Sequence, residues 1–356
     1  MLLAECAASP ANSAERLPSL AALILNYNYE RYVTEAIESA LAQTQPFDEI
    51  IVVDDGSTDN SMQAISAYAD RLVIVDKPNG GQLTATMAGL ARSRADYVYV
   101  LDADDLLEPN FVARVRPCLS AAPVKVQCQL TGIDADGKPL VSVFPTYPAR
   151  YDSAQMRSDN EQIGFYICPP TAGNIYRREF LDRIDLSRLG PHEPLDGPPA
   201  LAAPYYGEVL TIDRPLARYR VHGRNDSRWD RPDVQLLKGE IDWFFRRWGD
   251  VGAMLGCGEP PFGNAKPLYV RERELMMSAL GQGQPLLRLV PSFISRLWAT
   301  HVTGKQKLIL TAWALALVAP IPRLRRYLVN ARRSPVNRPA AVKRLLSSVL
   351  GAGAGG

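Results

Sequence analysis

YVYVLDADDLLEP, residues 97–109, decides how the chain is read. Five apolar or aromatic residues run to Leu101 as a buried strand would, and Asp102, Asp104 and Asp105 then fall within four positions. Three carboxylates that close repel one another. Burying them unpaired would cost several kcal/mol or push their pKa values upward. The stretch therefore asks for a positive charge where the strand gives way to a loop.

Working outward, the first third alternates strand and helix patterns. LAALIL (20–25) reads as a buried strand, and Val33, Ala36, Ile37, Ala40 and Leu41 then follow one helix face. EIIVVDD (49–55) is the next strand, with Thr58 or Asp59 placed to cap a helix through Tyr68. LVIVD (72–76) is a third, and a helix through Arg92 follows Asn79, Gly80 and Gly81. Four strands alternating with helices imply an α/β fold with a doubly wound, mostly parallel sheet. In such sheets ligands bind beyond the carboxyl ends of the strands. Asn26, Asp54, Asp55, Asn79 and Asp102 all fall there. From 125 to 220, short runs such as KVQCQL and EVLTI predict an α+β continuation that covers the same edge. From Val234 the pattern is helical.

The 356 residues are 47% hydrophobic and 22% charged, an ordinary globular balance. Five cysteines without a CxxC pair and an acid early in the chain argue against a disulfide framework and a signal peptide. They point to a reducing, cytoplasmic compartment. The net charge of +2 hides an asymmetry: from Gly281 to Gly356 there are twelve Lys and Arg and no Asp or Glu.

Two carboxylates at i and i+2 after a strand can present oxygens to one hard cation, Mg²⁺ or Mn²⁺, with a diphosphate and water completing the shell. Taken alone, LDADD reads equally as a solvated turn, or as a cap by Asp104 or Asp105 for LLEPNF. VVDDGSTDN (52–60) adds a second element on a neighbouring strand. There Asp54 or Asp55 can accept from a base N–H or a ribose hydroxyl, and Gly56 permits a tight turn.

Together, LNYNYERYVTEAIESALAQTQPFDEIIVVDDGSTDNS and KPNGGQLTATMAGLARSRADYVYVLDADDLLEP resemble the nucleotide-sugar half of family 2 glycosyltransferases with the GT-A fold, over residues 18–115. The resemblance implies a GT-A domain over 18–230, with an acceptor and catalytic half at 116–230; the helical pattern and the charge count set apart a helical, basic C-terminal region at 231–350. It implies transfer of a sugar from a nucleoside diphosphate to an acceptor hydroxyl, with a divalent metal and inversion at the anomeric carbon. Asn26, Tyr27, Asn28 and Glu30 resemble the first-strand loop that contacts the nucleotide, and Asp54 and Asp55 the acids that hold base or ribose. Asn79, Gly80 and Gly81 resemble the loop that closes near them. Asp102 and Asp104 resemble the metal and ribose ligands, with Asp105 an additional candidate. Leu25 stands where the family commonly has proline.

A general base must take the acceptor proton. The candidates in PHEPLDGPPALAAPYYGEV (191–209) are Asp196, favoured by resemblance to an Asp-Gly pair before a helix, then Glu193 and Glu208. Pro198 and Pro199 depart from that pattern; the alternative is a surface turn whose Asp caps the next helix. In PLARYRVHGRNDS (215–227), His222 is a metal or diphosphate candidate and Arg220 or Arg224 a phosphate contact. CPPTAGN (168–174) offers Thr171 and Asn174 to acceptor hydroxyls.

LILTAWALALVAPIP (308–322) is too short to span a bilayer and stops at Pro320 and Pro322. Val342, Leu345, Leu346, Val349 and Leu350 repeat at helical spacing in a basic context. That suits adsorption on an anionic inner leaflet, or a helical appendage packed on the catalytic domain. No nucleic-acid module is evident. The expected function is transfer of a single sugar, UDP-linked by default, in surface polysaccharide or glycolipid synthesis, with a glycan or lipid-linked acceptor. The alternative is a non-catalytic sugar-nucleotide-binding scaffold with a degenerate base site. A nucleotidyltransferase is a third reading; it would need a Gly/Arg/Lys-rich triphosphate loop where NYNYERY stands.

Overall fold

The structure, a computed structural model, describes residues 17–222 and 233–333. Arg224, the GAGAGG tail and the amphipathic repeat at 342–350 lie outside the described residues. The chain divides into two compact units. One holds 17–157, 167–222 and 250–258, and the other 158–166, 233–249 and 259–333.

The first unit is built on one mixed sheet. Its strands are β1 (Leu20–Asn26), β2 (Glu49–Asp54), β3 (Val73–Asp76), β4 (Tyr97–Asp102), β5 (Leu106–Leu107), β6 (Lys125–Ile133), β7 (Pro139–Phe144), β8 (Asn174–Arg177) and β9 (Val209–Arg220). The spatial order is β3-β2-β1-β4-β8-β6-β9-β5, with β7 on β6. The first four strands are parallel, as their apolar runs predict. β8 runs antiparallel to both β4 and β6, so β6 and its parallel partner β9 point the same way as the first four.

Between these strands lie α1 (Val33–Leu41), α2 (Ser61–Ser66), α3 (Gln82–Arg92) and α4 (Phe111–Leu119), followed by α5 (Ser153–Gln162), α6 (Arg178–Arg183) and α7 (Pro198–Tyr206). Leu20, Ala22 and Ile24 of β1 join Val33, Ala36, Ile37 and Ala40 of α1 and Phe111, Val112 and Val115 of α4 in one apolar core. On the other sheet face α3 approaches so closely that a Cβ on Gly89 would stand 3.1 Å from Leu23 Cδ1. Helices on both faces explain why every residue of β1 is buried. α2 begins at Ser61 after Asn60, so neither Thr58 nor Asp59 is its cap residue, although Asp59 Oδ1 accepts from the Ser61 N–H at 3.0 Å. Asp104 and Asp105 cap no helix either: Leu106 and Leu107 form β5, and α4 starts only after Asn110.

The second unit is helical, as the pattern from Val234 predicts: α8 (Val234–Met254) as far as Gly249, α9 (Leu268–Ala279), α10 (Leu286–Ala299), α11 (Gly304–Ala316) and α12 (Pro322–Arg333). Leu275, Met276, Val290, Phe293, Leu297, Ala314, Leu317 and Val329 form its core. No helix among the described residues is long and apolar enough to cross a membrane.

Candidate active site

The chain leaves β1 on one side towards β2 and β3 and returns to β4 on the other, so the sheet order reverses at β1. Crevices at such reversals are where doubly wound sheets hold ligands. Register places the expected polar residues in one row there: Asn26 stands opposite Asp54, and Leu25 opposite Asp102.

Around β1 and β2 the side chains first of all hold one another. Asp54 is fully buried, and its carboxylate accepts from Asn26 Nδ2 at 2.6 Å, from the Ser57 hydroxyl at 2.7 Å and from the Ser57 N–H at 2.8 Å. These bonds tie two strand ends together around a residue expected at the base or ribose. Ser57 Oγ also accepts from the Asn28 N–H at 2.9 Å, and Asn28 Oδ1 accepts from the Thr58 N–H at 2.7 Å. Glu30 Oε2 takes the Asn60 N–H at 2.8 Å. Tyr27 stands half exposed above this network, 47% accessible. Asn26 Oδ1 is buried without a hydrogen-bond partner, an acceptor that a ligand N–H or O–H would satisfy.

Asp55 gathers the next loop. It accepts from the Gly80 N–H at 3.0 Å and the Gly81 N–H at 2.7 Å and pairs with Lys77, while its backbone carbonyl accepts from Asn79 Nδ2 at 3.0 Å. Gly81 has φ +93°, and a Cβ there would stand 2.6 Å from both the Pro191 carbonyl and His192 Nδ1. The Leu83 N–H also donates to that carbonyl at 2.9 Å. The 190–197 loop is thus seated directly on the Asn79–Gly81 turn.

At the end of β4 the acids meet. Asp102 accepts from Gln82 Nε2 at 2.9 Å, and its carboxyl is pushed up to about 8, first by burial and then by the charges of Asp104 and Asp196. Thr171 also hydrogen-bonds to it and works the other way. Burial and the charges of Asp104 and Asp102 likewise hold Asp105 well above the usual carboxylate range, against the Arg220 N–H that donates to its Oδ1 at 2.8 Å. Asp102 and Asp105 are therefore held beside Asp104 at a cost to their own charged forms. Asp196 belongs with them electrostatically and lies just before α7, whose N-cap is Gly197 and whose first positions are Pro198 and Pro199. Proline is tolerated there because those N–H groups have no helical acceptor. Glu193 sits over Gly190, with its Cγ 3.8 Å from a Cβ built there. Glu208 is exposed and precedes β9, at the opposite edge of the sheet from the Asp102 row.

Asp104 Oδ2 lies 2.8 Å from His222 Nε2, whose ring stacks on Tyr32 at 5.5 Å and meets Tyr29 edge-on at 5.8 Å. The two are hydrogen-bonded to each other, and an imidazole and a carboxylate are both groups that could ligate a divalent cation if they turned from that bond. No group of three His, Cys, Asp or Glu side chains with metal-holding geometry occurs among the described residues, so Asp102 does not complete a set with them.

Arg220, expected at the phosphates, is fully buried and stacked 4.6 Å over Tyr32. It donates to the Asp104 carbonyl at 2.7 Å, the Ala135 carbonyl at 3.2 Å and Glu35 Oε2 at 2.7 Å. It props the acidic loop from beneath. Asn174, expected on the acceptor side, is buried and its Nδ2 donates to the Pro169 and Pro170 carbonyls at 3.0 and 2.9 Å. Gln82, Ser57, Lys77 and Glu35 were not singled out from the sequence. Only Gln82, the first helical residue after Gly81, carried a positional signal.

The family model described as "Glycosyl transferase family 2" matches residues 22–184. An uncharacterized glycosyltransferase of Nostoc sp. is 35% identical over 219 residues, 58% of this chain and 66% of that protein. The succinoglycan biosynthesis protein ExoO of Rhizobium meliloti is 30% identical over 185 residues, 48% of this chain and 51% of its own length. The chain thus spans less than two thirds of either relative. Among solved structures, a mannosyltransferase from Pyrobaculum calidifontis in complex with GDP-Man and Mn²⁺ aligns with TM-score 0.48 and 18% identity, over 92% of this chain and 90% of that one.

Proposed function

We propose, from the premise that the chain belongs to glycosyl transferase family 2 and is a transferase, that it moves one sugar from a nucleoside diphosphate to an acceptor hydroxyl with inversion. The observation that carries this reading is the gathering of Asp102, Asp104 and Asp196 at the sheet reversal. Acids held together against their own repulsion are matched to a cationic partner and to proton transfer.

In this reading the crevice between Asn26 and Asp102 receives the nucleotide, with Asn26 Oδ1 and the edge of the Asn79–Gly81 turn against base and ribose. Asp104 and His222 would hold a divalent cation, which supplies positive charge where the leaving diphosphate gains negative charge. Arg220 and Tyr32 fix the position of Asp104 and His222. Asp196 accepts the acceptor's hydroxyl proton as the oxygen attacks the anomeric carbon from the face opposite the diphosphate, and Asp102, with Gln82 and Thr171, orients the sugar beside it. The donor is a UDP-sugar by default. The acceptor is a glycan or lipid-linked saccharide of a surface polysaccharide, in keeping with the relative named for succinoglycan biosynthesis.

The test is release of nucleoside diphosphate from a panel of sugar nucleotides with oligosaccharide and lipid-linked acceptors, in Mn²⁺ or Mg²⁺ and in chelator, with NMR of the product anomer. Turnover of one donor class, dependent on metal and inverting, is expected. Donor binding without turnover across the acceptor panel would favour the non-catalytic scaffold.

A further inference from the structure

We propose that the outer face of α10 and α11 in the helical unit is a docking surface for an anionic lipid membrane. The core stripe of α10 is Leu286, Val290, Phe293 and Leu297. Beside it runs a second stripe at helical spacing, Leu287, Pro291, Ile294 and Trp298, of which Leu287, Pro291 and Trp298 are exposed. α11 buries Ala314 and carries an outward stripe of its own, Leu308, Ala312 and Leu315; Leu308 is 61% and Leu315 54% accessible. The two stripes form one patch because Trp298 Nε1 donates to Thr311 Oγ1 at 3.1 Å across the helix pair. Ile321, exposed, follows α11 at the start of α12.

The chemistry of the rim selects the occupant. Lys307 donates to the Trp298 carbonyl at 3.0 Å and lies over the indole at 5.8 Å, the pairing of cation and amphipathic ring that suits a headgroup layer. Exposed Lys305 and Arg323 stand beside Leu308 and Ile321 in sequence. No Asp or Glu occurs from Gly281 to the end of the chain. Glu240 and Glu272 are paired with Arg273, Arg332 and Arg333, so these acids do not neutralise the rim. A second copy would bring the same positive rim against this one. A nucleic acid would leave the Leu and Trp side chains unmatched. An anionic bilayer interface satisfies both parts, with the helices lying on it and not through it.

The test is co-sedimentation of the full chain with phosphatidylcholine vesicles and with mixed phosphatidylcholine and phosphatidylglycerol vesicles, at low and high salt. Binding to the anionic vesicles only, weakened by salt, is expected. Leu308→Ser with Leu315→Ser should weaken it about tenfold or more, and so should Lys305→Glu with Arg323→Glu, which reverses rim charge without touching packed side chains. Circular dichroism checks that each variant is folded, and the charge pair carries the test if the Ser pair does not fold. No binding by the parent chain, or binding that both folded variants retain in full, would overturn the proposal. So would a dimer that the Ser variant dissociates, with no vesicle binding.

Discussion

At Asp104 the account is sharpest, because that carboxylate is asked to be charged and Asn would keep its size while removing the charge. Asp104→Asn should lower metal-dependent turnover on the order of 100-fold or more with an unchanged melting temperature, read by steady-state rates against Mn²⁺. Retained turnover would remove Asp104 from the metal. Asp196→Asn should behave differently: nucleotide affinity stays, and transfer falls by about 100- to 10,000-fold, the contribution of a positioned base. Normal transfer in that variant would shift the base to Glu193. These roles rest on Asp102, Asp104 and Asp196 being brought to one place, and no local pattern in the chain predicts that Asp196 comes near Asp102. Arg220 carries the same lesson. Its triplet with His222 reads as a phosphate contact, whereas its partners Glu35, Asp104 and Ala135 lie 85 or more positions away and draw it inward.

Two elements carry predictions of their own. The Asn79–Gly81 turn supports the 190–197 loop, and Gly81→Ala would place a Cβ against Pro191 and His192 at φ +93° and ψ 165°, a region essentially confined to glycine that costs an L-residue about 1–3 kcal/mol. The loop bearing Asp196 must then shift. Transfer should fall by about 100-fold, as misplacement of a catalytic group does, with only a modest loss of thermal stability. Unaltered transfer would show that the turn does not set the loop. In the helical unit, burial raises the Glu272 carboxyl and the Arg332 and Arg273 guanidiniums outweigh it, so it sits below the ordinary value. A depressed acid contributes stability in full above its unfolded pKa near 4.3, and that contribution is lost as pH falls through the folded value. Thermal melts should therefore decline below about pH 4, and Glu272→Ala, which takes a carboxylate from Arg332 while Arg273 keeps Glu240, should cost on the order of 1–2 kcal/mol at neutral pH. β1, β2, β4 and α1 were legible because a strand buried along most of its length, or a one-sided helix, writes its burial into consecutive residues; β3, the half-exposed edge strand, was legible from its β-branched run alone. β9 was only partly so: EVLTI marks its start, but the strand continues through Asp213, Arg214 and Arg218, whose place in the sheet is set by pairing with β6 and β5.

For the whole molecule, the sheet reversal accounts for the crowded carboxylates of YVYVLDADDLLEP: they end a strand in the crevice where a parallel sheet binds ligands, and Asp104 meets His222 there from the far end of the domain. The central claim is that this crevice takes a nucleoside diphosphate together with a divalent cation. It is tested most directly by calorimetric titration of the full chain with UDP, GDP and dTDP, each with and without Mn²⁺. The account predicts tight binding of one nucleotide class in Mn²⁺, lost in chelator and in Asp104→Asn. Equal binding with and without metal, or none by a folded chain, would contradict it.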